Sequence, residues 1–571
     1  MTAPAPKLPG TAARLVAALL CACCMVLSSP TADLWFLGFV GWVPWLFAIE
    51  GLSPRRAFWV GWLAGTITVF WGFIWLTQLL MRFGGFGPPV AYPVHLLFAA
   101  FQGLQWAIPA AVIVWARRRT GRDVLLLAPL AWTAGEALLP HIFPSYMALA
   151  WCRAPLWIQT AEIGGVTTIG FVQLLINAAL YVVLRDLWQG RGLNRRALIT
   201  FGAVMTLTPL YGAIRMAQVD AMIERAPKVK FGVVQGNFGI TQWANFRTKP
   251  NILTALQRET SALEREGAEV FLWGETAYPF SRAIGRRDAV DFPLTSRRRI
   301  RRGFTKPLIF GAVTHDPTVS KYAFNSATVL HEDGRMGELY DKNYPLAFGE
   351  YIPLVDPDWY LSKVPSASYI NPGEKPQALT VGEFRYGPLI CYEDILPRFA
   401  REVAGEGIHA FVNMTNDSWF GKTKEQYQHM GLAVLRTVEN RRALLRAVNA
   451  GVSVYVDPNG RVLQETEVID PDSKRQMPPP TGFVAEVPML GPEDITTLYT
   501  RTGELFNGLV IIALLAVSFR RREDEERDAG QSQSQSQSQS QSQSQEQGEE
   551  DGHEAASGGN DASDAAADDD A

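Results

Sequence analysis

The sequence is short of cysteine, of histidine and of net charge, and each shortage excludes something. It holds five cysteines in 571 residues. Cys21, Cys23 and Cys24 share one apolar run, Cys152 follows another, and Cys391 stands alone, so no disulfide framework is present. The Cys21–Cys24 cluster lies where a helix would face apolar surroundings, with nothing to balance a metal's charge; there the cysteines act as small hydrophobes. The seven histidines show no metal-ligand spacing and no readable pairing with Cys391. No metal or cofactor is therefore expected, and a Cys–His protease is disfavoured. A net charge of −3 offers nucleic acid no electrostatic handle.

Long apolar runs are plentiful. Seven precede residue 218, at about 12–27, 34–49, 57–80, 92–115, 125–139, 167–183 and 197–214. Several reach the roughly 20 residues that a bilayer-spanning helix needs. The loops between them are asymmetric. Counted from an inside N-terminus, the inner loops carry ten arginines (Arg55, Arg56, Arg117, Arg118, Arg119, Arg122, Arg185, Arg191, Arg195 and Arg196), and the outer loops carry two, Arg82 and Arg153. That bias places the chain after the seventh segment on the outer side. A cleavable signal peptide is the alternative reading of the first run, because Lys7 and Arg14 precede a short apolar core ending at Ser28-Ser29-Pro30. Cleavage would leave the later orientation unchanged.

From 218 to 500 the texture becomes that of a water-exposed α/β domain. Val229–Gln235, Val270–Trp273, Pro307–Val313, Ala327–Leu330, Gly387–Cys391, Ala410–Asn413 and Val452–Val456 read as strands. Leu253–Glu266, Arg398–Glu406 and Gln426–Arg442 read as helices, and buried strands alternating with helices indicate a layered architecture. An eighth apolar run, Leu505–Phe519, is followed at once by Arg520, Arg521 and Arg522, as expected of a span within 501–521 ending inside. Residues 522–571 are a Gln-Ser repeat and an acidic end that cannot build a core, so disorder is expected there.

Three residues of the middle region carry chemistry. Cys391 ends the strand in Tyr386-Gly-Pro-Leu-Ile-Cys391, just before a helix starting near Pro397. A strand-to-helix turn exposes a side chain among free backbone N–H groups, which suits a nucleophile and an oxyanion. Glu275 also ends an apolar strand, where partial desolvation would raise its pKa toward that of a general base. Lys342, placed beside a thiolate, would favour the charged form and later stabilise a tetrahedral oxyanion. Glu136 and Glu162 lie in or near apolar helices, and the headgroup boundary is their expected place.

The Glu275, Lys342 and Cys391 set resembles the Glu-Lys-Cys triad of the nitrilase superfamily, in the same chain order. Within it, the surrounding segments are similar to the apolipoprotein N-acyltransferase family: Val234-Gln-Gly-Asn237, Trp273-Gly-Glu275, Phe348-Gly-Glu-Tyr-Ile-Pro353, Cys391-Tyr-Glu393, Asn413-Met-Thr-Asn-Asp-Ser-Trp-Phe-Gly421 and Glu439–Arg446. The resemblance extends over roughly 12–520 and includes Ala161-Glu-Ile-Gly-Gly165. Pro345-Leu346-Ala347 stands where the family has Leu-Val-Pro, and Ser145 where it commonly has Trp.

The resemblance implies a bundle of about eight transmembrane helices carrying a nitrilase-like αββα sandwich, in the bacterial inner membrane, with the catalytic domain in the periplasm and the tail in the cytoplasm. It implies that Cys391 attacks a phospholipid acyl donor after Glu275 takes its proton. A thioester then passes its acyl chain to the amino group of a diacylglyceryl-modified apolipoprotein acceptor, in ping-pong fashion. Glu350 would support the site electrostatically. Trp243, Tyr344, Phe348, Tyr392, Glu393 and Trp419 are the expected substrate contacts, and Trp243, Tyr344, Phe348, Trp359 and Tyr360 are expected to include a mobile apolar lid. The alternatives are a membrane-tethered amidase using water as acceptor, and a non-enzymatic scaffold or transporter.

Overall fold

Capping residues set where several of the apolar runs become helical. Ser53, Asp123 and Asn194 accept from the first-turn N–H groups of Pro54–Gly72, Val124–Leu138 and Arg195–Arg225. The computed structural model describes residues 8–82, 84–280, 290–363, 369–473 and 478–519. Lys7, the arginines after Phe519 and the Gln-Ser and acidic tail lie outside the described residues.

All eight apolar runs are helical, but their lengths differ. Thr11–Ser28, Pro88–Thr120, Val166–Trp188 and Arg195–Arg225 are long and apolar enough to cross a membrane. Pro54–Gly72 and Trp75–Arg82 together make a fifth, bent by 56°. Trp35–Ile49, Val124–Leu138 and Leu505–Phe519 are shorter apolar helices. Val124–Leu138 is enclosed by its neighbours, with every residue from Leu127 to Glu136 buried. The Trp42 ring packs at 4.3 Å from Trp106 and 4.2 Å from Trp132 inside the bundle. Leu15, Val16, Leu19, Leu198, Ile199 and Leu207 point outward and stay exposed. Uncovered apolar side chains on two helices are the pattern that suggests a membrane protein.

Helix Arg195–Arg225 runs through the expected boundary at 217/218 and ends three residues before the first strand. Its last turns dock on the α/β domain: Val219 packs with Leu490 and Ile495, and Asp220 takes Arg461 at 2.6 and 2.8 Å.

That domain contains two sheets. Its strands are β1 (Lys228–Gln235), β2 (Val270–Trp273), β3 (Leu308–Thr314), β4 (Ala323–Leu330), β5 (Met336–Asp341), β6 (Ile370–Asn371), β7 (Leu379–Val381), β8 (Phe384–Ile390), β9 (Ala410–Asn416), β10 (Ala443–Asn449), β11 (Val454–Val456), β12 (Val462–Glu465) and β13 (Thr481–Pro488). One sheet runs β13-β1-β2-β3-β4-β5, with β6 beside β4; the other runs β12-β11-β10-β9-β8-β7. Phe231 and Val233 of β1 share a single core with Leu389 of β8, Val412 of β9 and Leu445 of β10, so the sheets face each other. Helix Lys249–Arg265 covers the outer face of the first sheet through Ile252, Leu256 and Leu263. Pro397–Gly405 and Glu425–Asn440 cover the second, giving the αββα layering.

All seven expected strands are present; β4, β8 and β9 are two to four residues longer than read, and β11 is two residues shorter. β5, β6, β7, β10, β12 and β13 escaped the reading. β10 has an arginine at its centre, and β5, β12 and β13 are only partly buried, so none shows a clean apolar run.

Candidate active site

The three chemistry-bearing residues come from three strand ends that converge at one edge of the sandwich. Glu275 follows β2, and the turn carrying it packs directly on β3. A Cβ at Gly311 would stand 2.7 Å from the Gly274 carbonyl oxygen and 2.9 Å from the Glu275 Cα, so only glycine lets the carboxylate turn sit there. Lys342 follows β5, held by its N–H to the Asn325 carbonyl at 2.8 Å and by its own carbonyl, which accepts from Gly373 N–H at 2.7 Å. Cys391 opens a 3₁₀ turn after β8 with φ at +53°, a left-handed conformation that L side chains avoid. The first N–H groups of such a turn have no partner within it.

Lys342 is fully buried and joins two carboxylates. Its Nζ lies 2.8 Å from Glu350 Oε2 and 3.5 Å from Glu275 Oε1. Asn325 ties the same pair from β4, donating to Glu275 Oε1 at 2.7 Å and Glu350 Oε1 at 3.2 Å. Leu346 N–H donates to Glu350 Oε2 at 2.7 Å. Burial pushes the Glu275 carboxyl up, and Glu350 adds to this against the pull of Lys342 and Asn325. Burial opposes the charge on Lys342, yet Glu350, Glu275 and Cys391 hold its ammonium well above the ordinary lysine range. Burial and then the Glu275 charge raise the Cys391 thiol, with Lys342 opposing. The resting pair is thus a thiol beside a carboxylate able to take its proton, with a fixed ammonium next to both.

Cys391 lies in the lining of a largely apolar chamber between the sandwich and the helices. Tyr392 and Leu346 line it on the domain side, and Trp75, Phe143 and Trp132 line it on the helix side. Of the expected substrate contacts, Tyr392 lies on this wall, its hydroxyl 3.4 Å from the Ile142 carbonyl oxygen. Trp243 stands on the other side of Glu275, donating to the Thr276 carbonyl at 3.1 Å. Trp419 packs into the aromatic cluster around Trp75 and Phe420. Tyr344, Phe348 and Trp359 are exposed, Phe348 at 66%. Helix Pro357–Lys363, which carries Trp359 and Tyr360, buries nothing.

Glu393 is corrected. It is fully buried, and its two oxygens accept four hydrogen bonds: Tyr340 Oη and Ile390 N–H at 2.7 Å each, Asn343 N–H at 2.6 Å and Tyr344 N–H at 3.1 Å. With its lone pairs taken, it fastens the Lys342 loop to the Cys391 turn and has no face left for substrate. Glu136 and Glu162 are both buried, with partners inside the protein. Glu136 is buried beside the chamber, accepting from Met147 N–H at 2.8 Å. Glu162 is an internal ion-pair partner of Arg215 and Arg441.

The sequence reading missed Asn325 and a buried polar cluster behind Cys391. There Arg446 of β10 pairs with Asp394 and, at 3.3 Å, with Asp417. His429 Nε2 meets Asp394 at 2.8 Å, and its Nδ1 lies 3.5 Å from Glu425 and 3.6 Å from Asp417. Asp417, Glu425 and His429 each bring a ligand-type atom within 4.8 Å of the others. Arg446 already supplies positive charge at Asp417, which weighs against a metal ion there.

Comparison with known proteins bears on the family of the chain. The family model for the apolipoprotein N-acyltransferase N-terminal domain matches residues 21–179, and that for carbon-nitrogen hydrolases matches 230–472. An apolipoprotein N-acyltransferase of Bdellovibrio bacteriovorus is 31% identical over 76% of this chain and 82% of its own length. One from Geobacter metallireducens is 28% identical over 77% and 84%. Among solved structures, an amidase from Nesterenkonia sp. AN1 matches at 18% identity and a TM-score of 0.35, covering 49% of this chain and 97% of that one. A nitrilase-superfamily member from Saccharomyces cerevisiae matches at 19% identity and a TM-score of 0.33, covering 46% and 90%. The chain belongs to the apolipoprotein N-acyltransferase family of acyltransferases.

Proposed function

We propose that this chain moves an acyl group from a phospholipid to the amino terminus of a diacylglyceryl-modified apolipoprotein through a thioester on Cys391. The observation that carries the reading is the position of Cys391 in the lining of a largely apolar chamber shared with the apolar helices. An amidase working on small amides has no use for such a chamber, whereas an acyl chain needs one. Glu275 takes the thiol proton as sulfur attacks the sn-1 ester carbonyl. Lys342 and the N–H groups of the Cys391 turn stabilise the oxyanion, and the lysophospholipid leaves as the C–O bond breaks, its sn-1 oxygen taking the proton that Glu275 holds. Glu350 supports the site by holding Lys342 in place.

The same reading places a seven-helix region at 1–217, an outward-facing catalytic domain at 218–500, an eighth span at 501–521 and a cytoplasmic tail at 522–571. The arginine bias of the loops supports that orientation.

Intact-peptide mass spectrometry after incubation with phospholipid tests the reading. A hydroxylamine-labile fatty-acyl adduct on the Cys391 peptide is expected, absent from Cys391→Ala. With neither adduct nor lysophospholipid from folded protein, the lipid substrate would be abandoned.

The Glu275–Glu350 coupling sets a pH dependence. Glu275 works as a base only when ionised, so thioester formation falls as pH drops through its raised pKa. Glu350→Gln removes a like charge and lowers that pKa. The acid limb should therefore move to lower pH, with roughly a tenfold loss at the plateau from a loosened Lys342. An acid limb that stays put or moves upward would contradict the arrangement.

A further inference from the structure

One wall of the chamber is polar, and the thioester-forming step has no use for it. Glu425 and His429, one turn apart on helix Glu425–Asn440, line the same space as Cys391. Glu425 is 6% exposed, and its Oε2 has no hydrogen-bond partner among the described residues. Its other oxygen has only the 3.5 Å contact with His429 Nδ1. An unpartnered buried carboxylate oxygen is costly, and one that faces a chamber calls for a partner there. Three carboxylates (Asp394, Asp417, Glu425) face two basic groups (Arg446, His429). Arg446 serves Asp394 and Asp417, and His429 is held most closely by Asp394. Negative charge is left over on the chamber side, at Glu425.

The proposed reaction lacks one component that this wall supplies. Its acceptor is an α-amine, which is largely protonated near neutral pH and cannot attack a thioester until it loses a proton. Glu275 cannot serve both purposes at once, because it must manage the proton exchanged with Cys391.

We infer that Glu425, positioned by His429, binds the acceptor's α-ammonium group in the chamber and takes its proton before it attacks the Cys391 thioester. This rests on the thioester reading above. The steps balance. The R–NH₃⁺ group gives one proton to the Glu425 carboxylate, and the freed nitrogen lone pair adds to the thioester carbonyl. The C–S bond breaks as the C–N bond remains, and sulfur leaves with the electron pair. The second nitrogen proton passes through Glu275 to the Cys391 sulfur, regenerating the thiol and leaving an amide. The Glu425 proton is then released to water. Burial, followed by the charge of Asp417, pushes the Glu425 carboxyl up to about 7, against the pull of His429 and Arg446. A carboxylate so tuned exchanges protons in the range where the acceptor must be deprotonated.

The full-length enzyme in lipid nanodiscs, assayed one half-reaction at a time, tests this. In Glu425→Gln, thioester formation from phospholipid should stay within about twofold of wild type. Single-turnover transfer to a diacylglyceryl-cysteine peptide should fall about 100-fold at neutral pH. That deficit should shrink as pH rises and the amine deprotonates by itself. Hydroxylamine, unprotonated at neutral pH, should discharge the variant thioester as fast as the wild-type one. Glu425→Asp should recover part of the transfer rate. Equal loss of both half-reactions, or a hydroxylamine rate that falls with peptide transfer, would reduce Glu425 to a structural role and overturn the inference. So would wild-type transfer by the variant with an unchanged pH profile, or transfer by the wild-type enzyme that chelators abolish and Zn²⁺ restores. If the wild-type enzyme forms no thioester at all, the Cys391 reading falls and this one with it.

Discussion

Replacing Lys342 with methionine should cut thioester formation about 1000-fold and lower the thermal unfolding midpoint of the protein. The side chain is 1% exposed and is the ion-pair partner of both Glu275 and Glu350. Without it, two carboxylates bridged by Asn325 remain in a desolvated site. Leaving a buried charge uncompensated costs about 3–5 kcal/mol, and the pair relieves it by retaining a proton. That proton occupies the group that must accept one from Cys391, so the base is lost together with the oxyanion cation. Arginine is no substitute, because a planar fork cannot stand where a compact ammonium meets Glu350 Oε2 at 2.8 Å. The double variant Lys342→Met with Glu350→Gln separates the two effects. It should recover most of the stability and none of the activity. Unfolding by intrinsic fluorescence and adduct formation by mass spectrometry read the two quantities. A single variant keeping more than a tenth of wild-type adduct formation would remove Lys342 from the reaction.

Glu275 and Cys391 were legible because each lies at the end of a strand whose apolar run is visible in the sequence, whereas Lys342 follows β5, which shows no such run, and stood out through the resemblance of the triad. β2 was read to the residue, which placed Glu275 at its exit. Asn325 was not legible, since the apolar stretch of β4 becomes clear only at Ala327 and a polar residue before it looks like a turn. The cluster behind Cys391 escaped for a different reason. Asp394, Asp417, His429 and Arg446 lie on four separate elements, so no spacing rule joins them. Arg446 also disguised β10, because an arginine in the middle of a buried strand is tolerable only with Asp394 and Asp417 opposite, and those partners are spatial. The chamber is hidden in the same way, with walls drawn from residues 25–150 and 346–432. Glu136 and Glu162 show the limit of hydropathy. It locates an ionisable residue in an apolar helix but says nothing about which face it occupies.

Glu162→Ala should destabilise the protein by about 3–5 kcal/mol although it lies outside the chamber that holds Cys391. Glu162 Oε2 accepts from Arg441 Nε at 2.9 Å, and Oε1 accepts from Arg215 Nε at 2.5 Å. Arg441 is fully buried and sits at φ +52°, where the chain leaves helix Glu425–Asn440 for β10. Its other hydrogen bonds, to Pro458 O at 3.1 Å and Asn459 Oδ1 at 2.9 Å, are neutral and cannot replace a counter-charge. Removing Glu162 would leave two guanidinium groups facing one another, one of them without solvent. The pair also joins the two halves of the molecule. Glu162 belongs to the short turn before helix Val166–Trp188, and Val166 N–H donates to Glu439 of the catalytic domain at 2.8 Å. Loosening that junction shifts the helices forming one chamber wall against the strands carrying Cys391. Adduct formation should therefore fall further than the loss of folded protein accounts for. Glu162→Gln keeps acceptor capacity and should fall between the two. Pairing Glu162→Leu with Arg441→Met should restore much of the stability, because a buried ion pair replaced whole by apolar groups leaves no orphaned charge. A Glu162→Ala protein that unfolds within about 1 kcal/mol of wild type would show that water or lipid reaches Arg441, and the junction would then be held by packing alone.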